Sequence, residues 1–174
     1  GILRTAVTDS LRTLDPAIAY DTETAMAIHL MFDSLLDYAR DSAELVPGAA
    51  ESWEISSDGL TYTFHLRRNI TFHNGRHCTA EDFKYSFERL LWPETGSPGS
   101  SFFAVIEGAQ DVLDGKTRDC TGIRVPDPYT IILRVTEPRP VFPYIIAMPF
   151  GSVVAREEVE RWGADISIHP VGTG

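Results

Sequence analysis

Two histidines separated by three residues, His73 and His77, with Cys78 directly after them, form the most catalytic-looking group in the chain. On a helix that spacing would place two imidazoles on one face, as a metal site needs. The intervening Asn74-Gly75 signals a turn instead, which breaks the helical geometry and makes a solvated hairpin loop the better reading. Asp9, Asp15 and Asp21 could supply paired carboxylates for acid–base work, but only where burial or like charge shifts one pKa. Each stands beside Ser, Pro or Thr, where Asp commonly bonds its own backbone, so turn chemistry is favoured. No Gly-x-Ser-x-Gly elbow occurs, and Gly172-Thr173-Gly174 lacks the lysine of a phosphate-binding loop. Trp53, Trp92 and Trp162 could line a ligand site, although core or rim packing explains them equally well.

The elements that would hold these residues are legible in outline. Ile2–Val7 reads as a strand, and Asp9, Ser10, Asp15 and Pro16 as a loop. Apolar residues at helical spacing predict a helix from Thr22 to Leu36, with Thr22 as its cap and Glu23 in the first turn. Leu36-Asp37-Tyr38 reads as a short strand or chain exit. Residues 50–55 and 60–66 alternate around Ser56-Ser57-Asp58-Gly59, a hairpin signal in which glycine takes positive φ. Thr79 followed by Asp82 has capping-box spacing and opens a helix with Phe83, Tyr85, Phe87, Leu90 and Leu91 on its buried face, ended by Pro93. A second amphipathic helix is expected over Phe102–Leu113, and a second hairpin over 123–135. Short helices are expected at Phe142–Ala147 and Arg156–Trp162. This order predicts an α+β fold with antiparallel pairs.

The composition sets limits. Of 174 residues, 43% are hydrophobic and 23% charged, enough apolar content for a core and far from a disordered or disulfide-dense chain. Formal net charge is −10, which opposes a phosphate backbone, so nucleic acid is not an expected partner. The longest apolar runs fall short of the ~20 residues that span a bilayer. The two cysteines, Cys78 and Cys120, fit either one disulfide in an oxidising compartment or two separate thiols. The ending at His169-Pro170-Val171-Gly172-Thr173-Gly174 reads like a cut within a longer protein.

Blocks along the whole chain resemble one family. They are Leu14-Asp15-Pro16 followed by a helix, Pro47-Gly48-Ala49-Ala50-Glu51-Ser52-Trp53-Glu54, and Asp58-Gly59-Leu60-Thr61-Tyr62-Thr63-Phe64-His65-Leu66-Arg67. The pattern continues through Phe72-His73-Asn74-Gly75, Thr79-Ala80-Glu81-Asp82-Phe83-Lys84-Tyr85-Ser86-Phe87-Glu88-Arg89, Gly122-Ile123 and the closing His169–Gly174 segment. In order and spacing they resemble the extracytoplasmic solute-binding proteins of peptide/nickel-type ABC importers, family 5. The resemblance implies a periplasmic-binding-protein type II-like receptor, about three times this length, whose two lobes close on a ligand. Residues 1–44 would be the start of lobe I, 45–165 an inserted domain, and 166–174 the re-entry into lobe I.

It further implies a non-enzymatic transport component without cofactor or metal, exported to the periplasm or the outer face of the cytoplasmic membrane, where it could be lipid-anchored. Its partners would be a peptide or other small solute and a membrane permease. Tyr20, Asp21 and Thr22 would lie on the cleft-lining strip, Phe102 or Phe103 would reach the cleft from the inserted domain, and Thr173 would sit near the cleft floor. Export would favour a Cys78–Cys120 disulfide. A ligand-sensing or interaction module on the same scaffold, or a hydrolase built on His73, are the other readings carried forward.

Overall fold

The computed structural model describes residues 11–174; the strand expected at Ile2–Val7, together with Asp9 and Ser10, lies outside these residues. Helix α1 (Thr22–Met31) is followed by a two-stranded antiparallel ribbon of β1 (Leu36–Tyr38) and β2 (Leu45–Pro47). The centre is a four-stranded antiparallel sheet, ordered β3-β4-β6-β5, built from β3 (Ala50–Ile55), β4 (Thr61–Leu66), β5 (Ile123–Asp127) and β6 (Thr130–Arg134). Helix α2 (Ala80–Leu91) covers β5 and β6. Short helices α3 (Ser100–Phe103), α4 (Ala109–Leu113), α5 (Phe142–Ile146) and α6 (Arg156–Trp162) complete the body. The arrangement is the α+β one expected.

Both hairpins form for the local reasons visible in the residues. In the first, the Asp58 carboxylate accepts from the Leu60 N–H at 3.0 Å, and Gly59 sits at φ +70°. In the second, Asp127 accepts from the Tyr129 N–H at 2.9 Å. The β4–β6 register sets Phe64 opposite Ile131 and Tyr62 opposite Leu133. All four are buried, because successive strand residues face opposite sides and every second one points into the core. From the helix, Phe83, Phe87, Leu90 and Leu91 complete this core, each fully buried and worth about 1.5–3 kcal/mol of transfer free energy. A smaller separate cluster, Ala19, Ile28, Phe32 and Val154, lies under α1.

The α2 start is stapled twice. The Asp82 carboxylate accepts from the Thr79 N–H at 2.8 Å, the reciprocal half of the capping box. Arg76 donates two bonds to Asp82, at 3.0 and 2.7 Å, and two more to Glu157 of α6, at 2.7 and 3.0 Å. Partial burial raises the Glu157 pKa, but hydrogen bonds from Arg76, its own backbone N–H and Asn74, with the Arg76 charge, together outweigh it and hold that carboxyl below its usual range.

Three expectations need correction. Helix α1 stops at Met31 rather than Leu36, and its cap is Asp21, whose carboxylate accepts from the Thr24 N–H and hydroxyl, both at 2.8 Å. The helix expected over Phe102–Leu113 is two pieces, because the chain between them leaves the helix to bridge Ile106 with Val135 and to accept from the Thr136 N–H at the Val105 carbonyl, 2.9 Å away; Gly108, at φ +82°, precedes the second piece. Cys78 and Cys120 are free thiols. Cys78 lies two residues before α2, whereas the Cys120 N–H donates to Glu88 at 2.8 Å, more than two turns along that helix. At 1.5 Å per residue, α2 rises about 12 Å between Ala80 and Glu88, so the two thiols stand at different levels of the helix. Burial raises both thiols, Cys120 to about 12. Mass spectrometry after iodoacetamide treatment is therefore expected to find neither thiol modified in the native protein and both modified in denaturant, with no mass change on reduction. A two-unit mass gain on reduction would show a disulfide.

Candidate functional site

Two loops and a 3-10 turn converge beside the first turn of α1. The first loop, residues 14–21, is held by a buried ion pair 74 residues apart in sequence. The Arg89 guanidinium of α2 donates through both terminal nitrogens to the Asp15 carboxylate, at 2.8 Å for Nη1–Oδ1. Asp15 is 3% and Arg89 8% exposed. Burial works against the Arg89 charge, but the hydrogen bonds and charge of Asp15 outweigh it, so its pKa lies above the ordinary arginine value. Asp15 also makes the turn its sequence setting suggests, accepting from the Ala17 N–H at 3.1 Å. Ser97, buried in the second loop, donates its hydroxyl to the Ala17 carbonyl and accepts from the Gly99 N–H at 3.1 Å. The two loops are thereby joined.

What they carry is an aromatic strip. Tyr20 is 73% exposed and Phe102 37% exposed. Each ring packs against Phe150, from the 3-10 turn Pro149–Gly151, with centroids 6.3 Å and 6.4 Å away. Gly99 makes this possible: a Cβ there would stand 2.5–2.8 Å from three atoms of the Phe150 ring. A cleft of about 340 Å³ continues from the strip, with Thr22, Met26, His29, Asp33, Tyr38 and Pro149 among its lining residues.

The residues singled out in the sequence separate clearly. Tyr20 and Phe102 come together through Phe150, and exposed Thr22 lines the adjoining cleft. Asp21 is at the strip's edge with its carboxylate occupied by the α1 cap, which lowers its pKa. Phe103 points the other way: it is fully buried, 5.6 Å from Phe87, and belongs to the core. Thr173 accepts from the Asp33 N–H at 3.1 Å and fastens the last residues to the end of α1. His73, the centre of the hydrolase reading, binds that same segment. Its Nδ1 accepts from the Gly172 N–H at 3.3 Å, and its Nε2 lies 2.8 Å from the Gly174 carbonyl oxygen. Among the described residues no three His, Cys, Asp or Glu side chains gather as a metal-ligand set, and no helix is long and apolar enough to cross a membrane. Phe150 and the Arg89 partner of Asp15 are the site residues the sequence did not reveal.

The described residues thus build a surface for contact: exposed aromatics on pinned loops, beside an open cleft. The family model for bacterial extracellular solute-binding proteins, family 5, middle region, matches residues 44–174, and the chain belongs to that family. The periplasmic murein peptide-binding protein MppA of Escherichia coli is 37% identical over 139 residues, 78% of this chain and 26% of its own length. The periplasmic oligopeptide-binding protein OppA of Haemophilus influenzae is 42% identical over 100 residues, 56% of this chain and 18% of its own. The structure of Burkholderia pseudomallei OppA superposes with a TM-score of 0.88 at 31% identity, covering 97% of this chain and 33% of that one. The chain thus spans at most about a third of the length of these relatives.

Proposed function

We propose that this chain is part of the substrate-binding component of an ABC importer, which captures peptides outside the cytoplasmic membrane and delivers them to a membrane permease. The observation that carries this reading is the convergence of Tyr20 and Phe102 on Phe150, on loops fastened to the body by the Asp15–Arg89 and Ser97–Ala17 contacts. Exposed rings on a pre-ordered backbone offer contact area at little ordering cost. Relatives named for oligopeptide and murein peptide binding support peptides as the solute class.

In this reading residues 1–44 and 166–174 belong to one lobe and 45–165 to an inserted domain. The two parts pack on each other: Val154 of the second lies with Ala19, Ile28 and Phe32 of the first, and Leu35 and Leu36 of the first join the main core. Tyr20, Thr22 and Phe102 contact the ligand, while Asp21, Phe103 and Thr173 hold the framework. Closure of a second lobe supplies the differential affinity that ligand capture requires. The protein works at the periplasmic or outer face of the membrane, and it acts without turnover, as the engagement of His73 with Gly172 and Gly174 suggests.

Isothermal calorimetry on the full-length protein with a tripeptide panel tests this. Micromolar or tighter binding is expected, and the Tyr20→Ala/Phe102→Ala double variant is expected to bind about tenfold more weakly, ~1.4 kcal/mol, with its melting temperature little changed. Equal binding by the variant would remove the strip from the site. Peptide hydrolysis abolished by His73→Ala would restore the enzymatic reading.

A further inference from the structure

We infer that Phe150 sets the side-chain preference of the aromatic strip, and that the strip favours peptides presenting an aromatic side chain. The inference rests on the peptide-binding reading above. Phe150 is only 5% exposed, so it offers a ligand almost no surface of its own. It acts through its two neighbours, as a positioning residue. The Tyr20 and Phe102 rings each meet it at a shallow angle, 35° and 29°, and each leaves free surface toward solvent. The middle ring therefore fixes the separation and tilt of the outer two.

Its own place is fixed from beneath and from both chain directions. Gly99 presses bare backbone against the ring, so the ring cannot sink without collision and sits where only a missing side chain permits. The Gly151 N–H donates to the Met148 carbonyl at 2.8 Å, and the Ser152 N–H to the Pro149 carbonyl at 3.1 Å, which locks the turn that carries it. Two rings presented at fixed tilt reward a third that meets them offset or edge-on, beyond what its apolar area alone gives. An aliphatic side chain of similar size gains the area and not the geometry.

The test uses the full-length protein and calorimetry with seven probes: Ala-Ala-Ala, and the six tripeptides in which one alanine, at each position in turn, is replaced by leucine or by phenylalanine. The wild type is expected to bind the best phenylalanine peptide about three- to tenfold more tightly than the matching leucine peptide. Phe150→Leu keeps an apolar plug of similar volume, and in it that ratio is expected to fall to within about twofold. Gly99→Ala, which keeps the ring but displaces it, is expected to give the same signature. A wild type that treats phenylalanine and leucine alike overturns the inference and leaves the peptide reading standing. So does a Phe150→Leu variant that weakens all probes in parallel. A wild type that binds no probe removes the peptide reading, and this inference with it.

Discussion

Asp15→Ala is expected to lower the unfolding free energy by about 3–5 kcal/mol, which is the range for removing one partner of a buried ion pair. The loss comes less from the missing attraction than from what remains. The Arg89 guanidinium sits 8% exposed on α2, and without Asp15 it keeps a charge with no counter-ion beside it. The Ala17 N–H loses its acceptor as well. Urea unfolding followed by circular dichroism should show the midpoint moving down with the slope unchanged. Replacing both partners together, Asp15→Leu with Arg89→Met, is expected to recover most of the loss, because it removes the stranded charge along with its mate. A single-variant loss under 1 kcal/mol would mean that water already reaches the guanidinium. Peptide binding should weaken in Asp15→Ala beyond what stability predicts, since Tyr20 stands on the loop that Asp15 anchors.

How much of this was readable beforehand follows from how far apart the interacting groups lie. Hairpin turns at Asp58-Gly59 and Asp127–Thr130 and the Thr79–Asp82 capping box depend on residues two to three apart, and each formed as expected. Errors came where local signals compete. Thr22 and Asp21 are both acceptable caps, and the chain uses Asp21 because its carboxylate reaches the Thr24 N–H. Apolar spacing ran on from 102 to 113, but the bridge that interrupts it pairs Ile106 with Val135, far along the chain, and spacing within one segment does not show that. Asp15 looked like a turn residue and is one; that it also neutralises Arg89 depends on α2 crossing behind the loop. The disulfide expectation failed for the same kind of reason: compartment says whether thiols oxidise, and only the fold says whether they meet. Of the adjacent Phe102 and Phe103, one had to face the core, yet which one was set by how α3 enters.

Phe87→Ala joins the core to the site and is expected to cost about 3–5 kcal/mol. The Phe87 ring is fully buried between Phe83, at 6.3 Å, and Phe103, at 5.6 Å. Truncation empties a space walled by α2 and α3, and a sheet on the far side keeps the walls from collapsing into it, so the cost should lie in the upper part of the range for aromatic truncations. Phe87→Leu fills most of that volume and is expected to lose under about 1.5 kcal/mol. A difference of less than 1 kcal/mol between the two variants, measured by denaturant unfolding, would show that the core relaxes around the missing ring. The consequence reaches the surface through four residues of helix. Phe103 anchors α3 by lying on Phe87, and Phe102 owes its outward placement to that anchor. Once Phe103 can shift toward the vacated space, Phe102 moves off Phe150, and the variant should lose peptide affinity even under conditions where it is fully folded. The core therefore positions one of the two exposed rings, just as the Asp15–Arg89 pair positions the other.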